Sequence, residues 1–252
     1  MKNVFKPTTL AAALAMAGAS SLTMAQDGSR PAPVVVVTTP TTTSTVPPKD
    51  CKDMFVGVEL DVTGSFVDHI LNKDLFKNSV KNLRTKFPRL CIGSEVKVAI
   101  IGHSHRDVSG TYDHLASETY TITRNYYTAD NIASTVVKQL EKWRDELASG
   151  KMKQQENTAV AMSFDHISAA VRNAGKPCML FAITDADETE YTTGVPLPNR
   201  PGLLANCKVY IYGAGITLIG GNEAQRKLQA QWERHMKVAG VAPKDFFWLP
   251  NP

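Results

Sequence analysis

The sequence predicts a doubly wound α/β domain: a mostly parallel sheet with helices on both faces. Two observations predict it. Several short runs are apolar along their whole length, as strands buried on both faces are. Between them lie stretches with apolar residues at helical spacing, so strands and helices take turns along the chain. The chain has 252 residues, 43% hydrophobic and 21% charged, which excludes collagen, a coiled coil and a charge-rich disordered tail.

The first 25 residues read as an export signal. Lys2 and Lys6 supply a positive start, Leu10 to Leu22 is apolar, and Thr23-Met24-Ala25 offers small residues before Gln26. The apolar run is too short to cross a bilayer core of roughly 30 Å as a helix, and no later stretch is long enough either. We therefore expect an exported protein, secreted or periplasmic and bacterial in style, with no membrane span. Residues 26–50 hold Pro31, Pro33, Pro40, Pro47 and Pro48 around a Thr/Ser tract, which reads as an extended linker. A single domain is expected over residues 51–252.

Within that domain, Met54 to Leu60 is an apolar run ending at Asp61. Phe66, Ile70, Leu71, Leu75, Val80, Leu83 and Phe87 follow near helical spacing, and Pro88 stops them. Val96 to Ile101 is a second strand. Ser117 to Arg124 alternates, with Thr119, Thr121 and Thr123 on one side and Tyr120 and Ile122 on the other. Helices are expected over Asn131–Leu147 and Thr158–Val171, strands over Met179–Ile183 and Val209–Ala214, a helix over Asn222–Val238 and a last strand over Phe246–Leu249.

Lys and Arg number 28 against 24 Asp and Glu, so the formal charge is +4, falling to +2 without Lys2 and Lys6. No basic run of five appears, so charge suggests neither a nucleic-acid nor an anionic-membrane partner. Cys51, Cys91, Cys178 and Cys207 make an even count, which in an oxidising compartment favours two disulfides; three pairings are open. None of them forms a C-x-x-C motif.

In a parallel sheet, ligands sit beyond the carboxyl ends of the strands. After the first strand comes Asp61-Val62-Thr63-Gly64-Ser65, after the fourth Thr184-Asp185-Ala186-Asp187, and Asn157-Thr158 precedes the helix leading to that fourth strand. Two carboxylates and three hydroxyls at one sheet edge are hard oxygen donors suited to Mg²⁺ or Mn²⁺. The competing reading is that Asp61 and Asp185 only cap their loops.

The run Phe55 to Ser65, ending in Asp61-x-Thr63-x-Ser65, resembles the opening strand and metal-ion-dependent adhesion site of von Willebrand factor type A domains, whose pattern is Asp-x-Ser-x-Ser. Thr158 looks like that family's separate metal-binding Thr, and Thr184-Asp185 resembles its second Asp. The resemblance covers the chain after the linker. Thr63 stands for the usual Ser, and Ala186 for the common Gly after the second Asp. It implies a Rossmann-like sheet with one antiparallel edge strand. It also implies a cation (Mg²⁺, or Mn²⁺ or Ca²⁺) on Asp61, Thr63, Ser65, Thr158 and Asp185, and a binding or adhesion role without catalysis. One coordination position would stay open for an Asp or Glu of a protein partner. With the implied strand order 3-2-1-4-5-6, the four thiols lie at the amino ends of neighbouring strands about 4.8 Å apart. Cys51–Cys91 and Cys178–Cys207 are then expected, with Cys51–Cys178 as the alternative.

A rival site is His103-Ser104-His105-Arg106-Asp107, which looks like the metal-binding loop of metallo-β-lactamase-type hydrolases and would suit Zn²⁺. It would make the protein a metal-dependent hydrolase using His103, His105 and Asp107. Val108 stands where that family has a further His, and the expected preceding β-rich region is missing. The Tyr- and His-rich stretch from Gly102 to Tyr127 suits a recognition surface, and Tyr120 within it suits plain strand core equally well.

Overall fold

The computed structural model describes residues 50–101, 116–122, 129–155, 158–187 and 201–250, all within the unit Val46–Pro252. The expected export signal, nearly all of the linker and the His103–Asp107 loop lie outside the described residues. Six strands form one sheet: β1 Phe55–Asp61, β2 Glu95–Ile101, β3 Ser117–Thr121, β4 Cys178–Ile183, β5 Cys207–Tyr212 and β6 Phe246–Leu249. Their order is β3-β2-β1-β4-β5-β6. Every pairing is parallel except that of β2 with the edge strand β3. The expected fold class and strand order are those observed.

Side-chain alternation along β1 feeds two separate cores. Val56, Val58 and Leu60 join the core built with α1 (Val67–Leu71), α2 (Lys73–Lys86) and α3 (Ala129–Ala148). Phe55 joins the other, under α4 (Val160–Ala174) and α5 (Gly221–Val238). Gly57 shows why α4 lies so close: a Cβ there would stand 2.7 Å from Leu180 Cδ2 and 3.1 Å from Ile167 Cδ1. All seven residues of β1 are buried, as expected of a central strand covered on both faces.

Several boundaries differ by a few residues from the sequence expectation, and two of the differences have a visible cause. The single helix expected over Phe66–Phe87 is broken at Asn72, whose backbone is extended and whose side chain accepts hydrogen bonds from the Asp74 and Leu75 amides, capping α2. Asn favours a cap over a helix interior, and the apolar spacing continues unchanged through the break. β5 stops at Tyr212, two residues early, because Gly213 turns into the left-handed region at φ 88°. A Cβ on Gly213 would meet the Phe66 ring at 2.9 Å, so this turn also admits Phe66.

Disulfides join Cys51 to Cys91 and Cys178 to Cys207, with Cα separations of 5.1 and 4.4 Å. Cys178 and Cys207 are register partners on β4 and β5. Both bridges lie at the amino ends of the strands. Among the described residues, no helix is long and apolar enough to cross a membrane.

Candidate functional site

The register of β1 and β4 assembles the opposite edge. Leu60 pairs with Ile183, so the next residues, Asp61 and Thr184, leave the sheet side by side. Asp61 is wholly buried; its Oδ1 accepts from the Thr63 amide at 2.9 Å and from Thr63 Oγ1 at 2.6 Å. Its Oδ2 accepts from Thr184 Oγ1 at 2.6 Å. This is the geometry of an Asx turn, which bends the chain back just past the strand.

Thr63 Oγ1 is also hydrogen-bonded to Thr158 Oγ1. Because the single proton of Thr63 goes to Asp61, Thr158 is the donor in that pair, giving a chain Thr158 to Thr63 to Asp61. Backbone bonds fix the loop from outside: the Gly64 amide donates to Gln155 O at 2.9 Å, and the Gln155 amide to Val62 O at 3.1 Å. Gln155 thus ties the segment that leads to Thr158 against the loop that carries Thr63.

Asp185, also wholly buried, accepts on Oδ2 from Ser65 Oγ at 2.6 Å and from Thr217 Oγ1, and on Oδ1 from the Asp187 amide at 3.1 Å. Ala186, at φ 60°, is in the left-handed conformation that a Gly adopts more readily. Its carbonyl accepts from the buried Trp232 Nε1 of α5 at 2.8 Å, and its amide donates to Thr184 Oγ1 at 2.9 Å. Trp232 therefore locks the strained turn that presents Asp185.

All five expected residues, Asp61, Thr63, Ser65, Thr158 and Asp185, thus meet in hydrogen-bonded clusters at one sheet edge. Thr217, and the side chain of Thr184 as a donor, were missed. Thr217 lies in the loop after β5, at the same edge, but no short motif marks it.

The electrostatics are those of two carboxylates held without a counter-charge among the described residues. Burial first, and then the charge of Asp185, push the Asp61 carboxyl up to about 7 despite the hydrogen bonds it accepts. Burial and the same charge raise Asp187. Nearby His69 is lowered by its own burial while Asp185 pulls the other way; it stacks on Phe66 with ring centroids 4.5 Å apart, and its Nδ1 has no hydrogen-bond partner among the described residues. Among the described residues neither Asp61 nor Asp185 has an ion-pair partner. Nor does any group of three His, Cys, Asp or Glu gather there. What the edge offers is two carboxylates and several hydroxyls, a donor set that fits a hard divalent cation and not zinc. A cleft of about 580 Å³ between α5 and β6, lined by Glu233, Met236, Phe246 and Trp248 among others, includes none of these residues.

No protein-family model and no curated protein sequence matches the chain. Among solved structures it is similar to the pilus adhesin SpaC of Lactobacillus rhamnosus GG in an open conformation (13% identity, TM-score 0.39, 78% of this chain and 28% of that one). It is similar also to the ArnB paralog VWA2 of Sulfolobus acidocaldarius (8%, 0.33, 65% and 35%). A third is the conserved hypothetical protein BatB of Bacteroides thetaiotaomicron (12%, 0.33, 73% and 99%). The chain spans about a third of the first two or less. Likeness at these identities and scores says nothing of the site, whose reading rests on its own hydrogen bonds.

Proposed function

We propose that the chain is an exported binding module that takes a divalent cation, Mg²⁺ or Mn²⁺ (or Ca²⁺), on Asp61, Thr63, Ser65, Thr158 and Asp185. The cation's remaining position would hold an Asp or Glu of a protein partner. One observation carries this reading: two wholly buried carboxylates with no ion pair among the described residues, ringed by hydroxyls from separate loops. Burying such a pair uncompensated is costly, and a divalent ion would compensate both. The hydroxyls can turn their lone pairs toward an ion while keeping their protons on the carboxylates. When bound, the ion supplies a Lewis-acidic point for a carboxylate; the protein's part is to aim the donors and exclude water from the two aspartates. The two disulfides suit an oxidising compartment, in keeping with export.

Calorimetric titration of the full chain with Mn²⁺ and Mg²⁺ tests it. One cation per chain is expected, abolished in Asp61→Ala and in Asp185→Ala. Binding that survives both substitutions, or a folded protein that takes up no cation, overturns the reading.

A further inference from the structure

The loop between β5 and α5 reaches into the cluster from outside the expected motif. Thr217 Oγ1 donates to Asp185 Oδ2, the oxygen that Ser65 also serves, while the Asp187 amide holds Oδ1. Both oxygens are gripped, so the rotation of the carboxylate about its χ angles is stopped before any ligand arrives. The loop does not need this hydroxyl to stay in place. The Gly215 amide donates to Asp185 O at 2.6 Å, Gln225 Nε2 of α5 donates to Gly215 O at 3.1 Å, and the Ile216 amide donates to Gly213 O at 3.0 Å. Removing the Thr217 hydroxyl takes away the grip on the carboxylate and leaves the loop anchored.

We propose that Thr217 is a positioning residue of the candidate cation site, its hydroxyl fixing the Asp185 carboxylate in the orientation the ion needs. This rests on the reading of the site under Proposed function. Groups that orient a metal's ligands typically change its affinity ten- to a hundred-fold when removed. A β-branched Thr suits the task, because its restricted χ1 holds the hydroxyl on one bearing. The role is one of orientation only; nothing assigns Thr217 to the ion itself.

The test uses the full chain and Mn²⁺ as the probe, with Thr217→Val, Thr217→Ser and Asp61→Ala beside the wild type. Affinity is read by calorimetry, and thermal unfolding is read in EDTA, where no cation contributes. Val keeps the shape and removes the hydroxyl, so Thr217→Val should bind Mn²⁺ about ten- to a hundred-fold more weakly. Its unfolding temperature in EDTA should fall by no more than about 2–4 °C, the effect of one ordinary hydrogen bond. Thr217→Ser should recover most of the lost affinity. Wild-type affinity in Thr217→Val overturns the inference and leaves the cation reading standing. A large fall in the EDTA unfolding temperature, with no recovery by Ser, makes Thr217 a loop anchor and overturns it too. Absence of Mn²⁺ binding by the folded wild type overturns the cation reading, and this inference with it.

Discussion

Thr184 Oγ1 donates its proton to Asp61 Oδ2 across 2.6 Å, and Thr184 Oγ1 itself accepts from the Ala186 amide at 2.9 Å. One buried hydroxyl therefore ties the end of β1 to the turn that presents Asp185. Replacing it should disturb both halves of the site. Thr184→Val strips a donor from a buried carboxylate and leaves a buried amide without its acceptor, which should cost about 1.5–3 kcal/mol. Urea unfolding measures this, with Thr184→Ser as the control that keeps the hydroxyl. Equal midpoints for Val and Ser would show that the tie is energetically idle.

Gly57 lies beneath Ile167 of α4 and beside Leu180 of β4. Gly57→Ala would place its methyl 2.7 Å from Leu180 Cδ2 and 3.1 Å from Ile167 Cδ1, with both neighbours buried. Overpacking of this kind costs about 1–3 kcal/mol, partly offset by about 0.5–1 kcal/mol from replacing a Gly in a strand. The net effect should be destabilising by about 1 kcal/mol. Ile167→Val, which removes the Cδ1 methyl, should be less harmful in the Gly57→Ala background than alone. Additive effects in that double-mutant cycle would count against the contact.

The parts of this molecule legible from sequence are those in which local pattern and tertiary role coincide. β4 stands out as a wholly apolar run, and β1 as one apolar up to Leu60 but for Glu59, because both of their faces are covered, and Asp61 and Asp185 stand out because each closely follows such a run. The break at Asn72 is not legible, since apolar residues keep helical spacing on both sides of it and only the side chain's capping bonds reveal the turn. Thr217 is not legible for a different reason. Its partner lies 32 residues earlier in the chain, and only the folded path of the loop after β5 brings them together. Buried Glu59 also escapes the pattern: it sits within an apolar strand, where its side chain accepts a hydrogen bond from Ser163 of α4.

The two disulfides differ in shelter. Cys178 and Cys207 are buried, at 1% and 2% exposure, whereas Cys51 and Cys91 are only half-buried. Thiol exchange needs access to sulfur, so mild dithiothreitol should open Cys51–Cys91 first. The loops closed are 40 and 29 residues in sequence separation, long enough for each bridge to contribute about 2–5 kcal/mol. Alkylation at timed intervals followed by peptide mass spectrometry reads the order. Simultaneous loss of both bridges, or earlier loss of Cys178–Cys207, would contradict it.

Acidity should act on the cation-free protein in two opposed ways. The Asp61 carboxyl rises in the folded state to about 7 from an ordinary 3.8, so the folded protein holds that proton more tightly. Its contribution to stability is complete below pH 3.8 and is lost as pH rises through 7. His235, buried on α5 beside Trp232 with no partner for Nδ1 among the described residues, is depressed by burial from 6.5 to about 4. The unfolded chain binds that proton more readily, so its contribution is complete above pH 6.5 and is lost as pH falls toward 4. It amounts to on the order of 3 kcal/mol. Differences from wild type at each pH cancel the titrations of groups that neither residue interacts with; for Asp61 the difference also carries its coupling to Asp185. In EDTA, the stability of Asp61→Asn relative to wild type should climb as pH rises from 4 to 7. The stability of His235→Phe relative to wild type should instead climb as pH falls from 6.5 to 4. Urea midpoints across that range measure both. Parallel curves for Asp61→Asn and wild type would mean that Asp61 is ionised throughout, and the picture of two carboxylates held without a counter-charge would then be wrong.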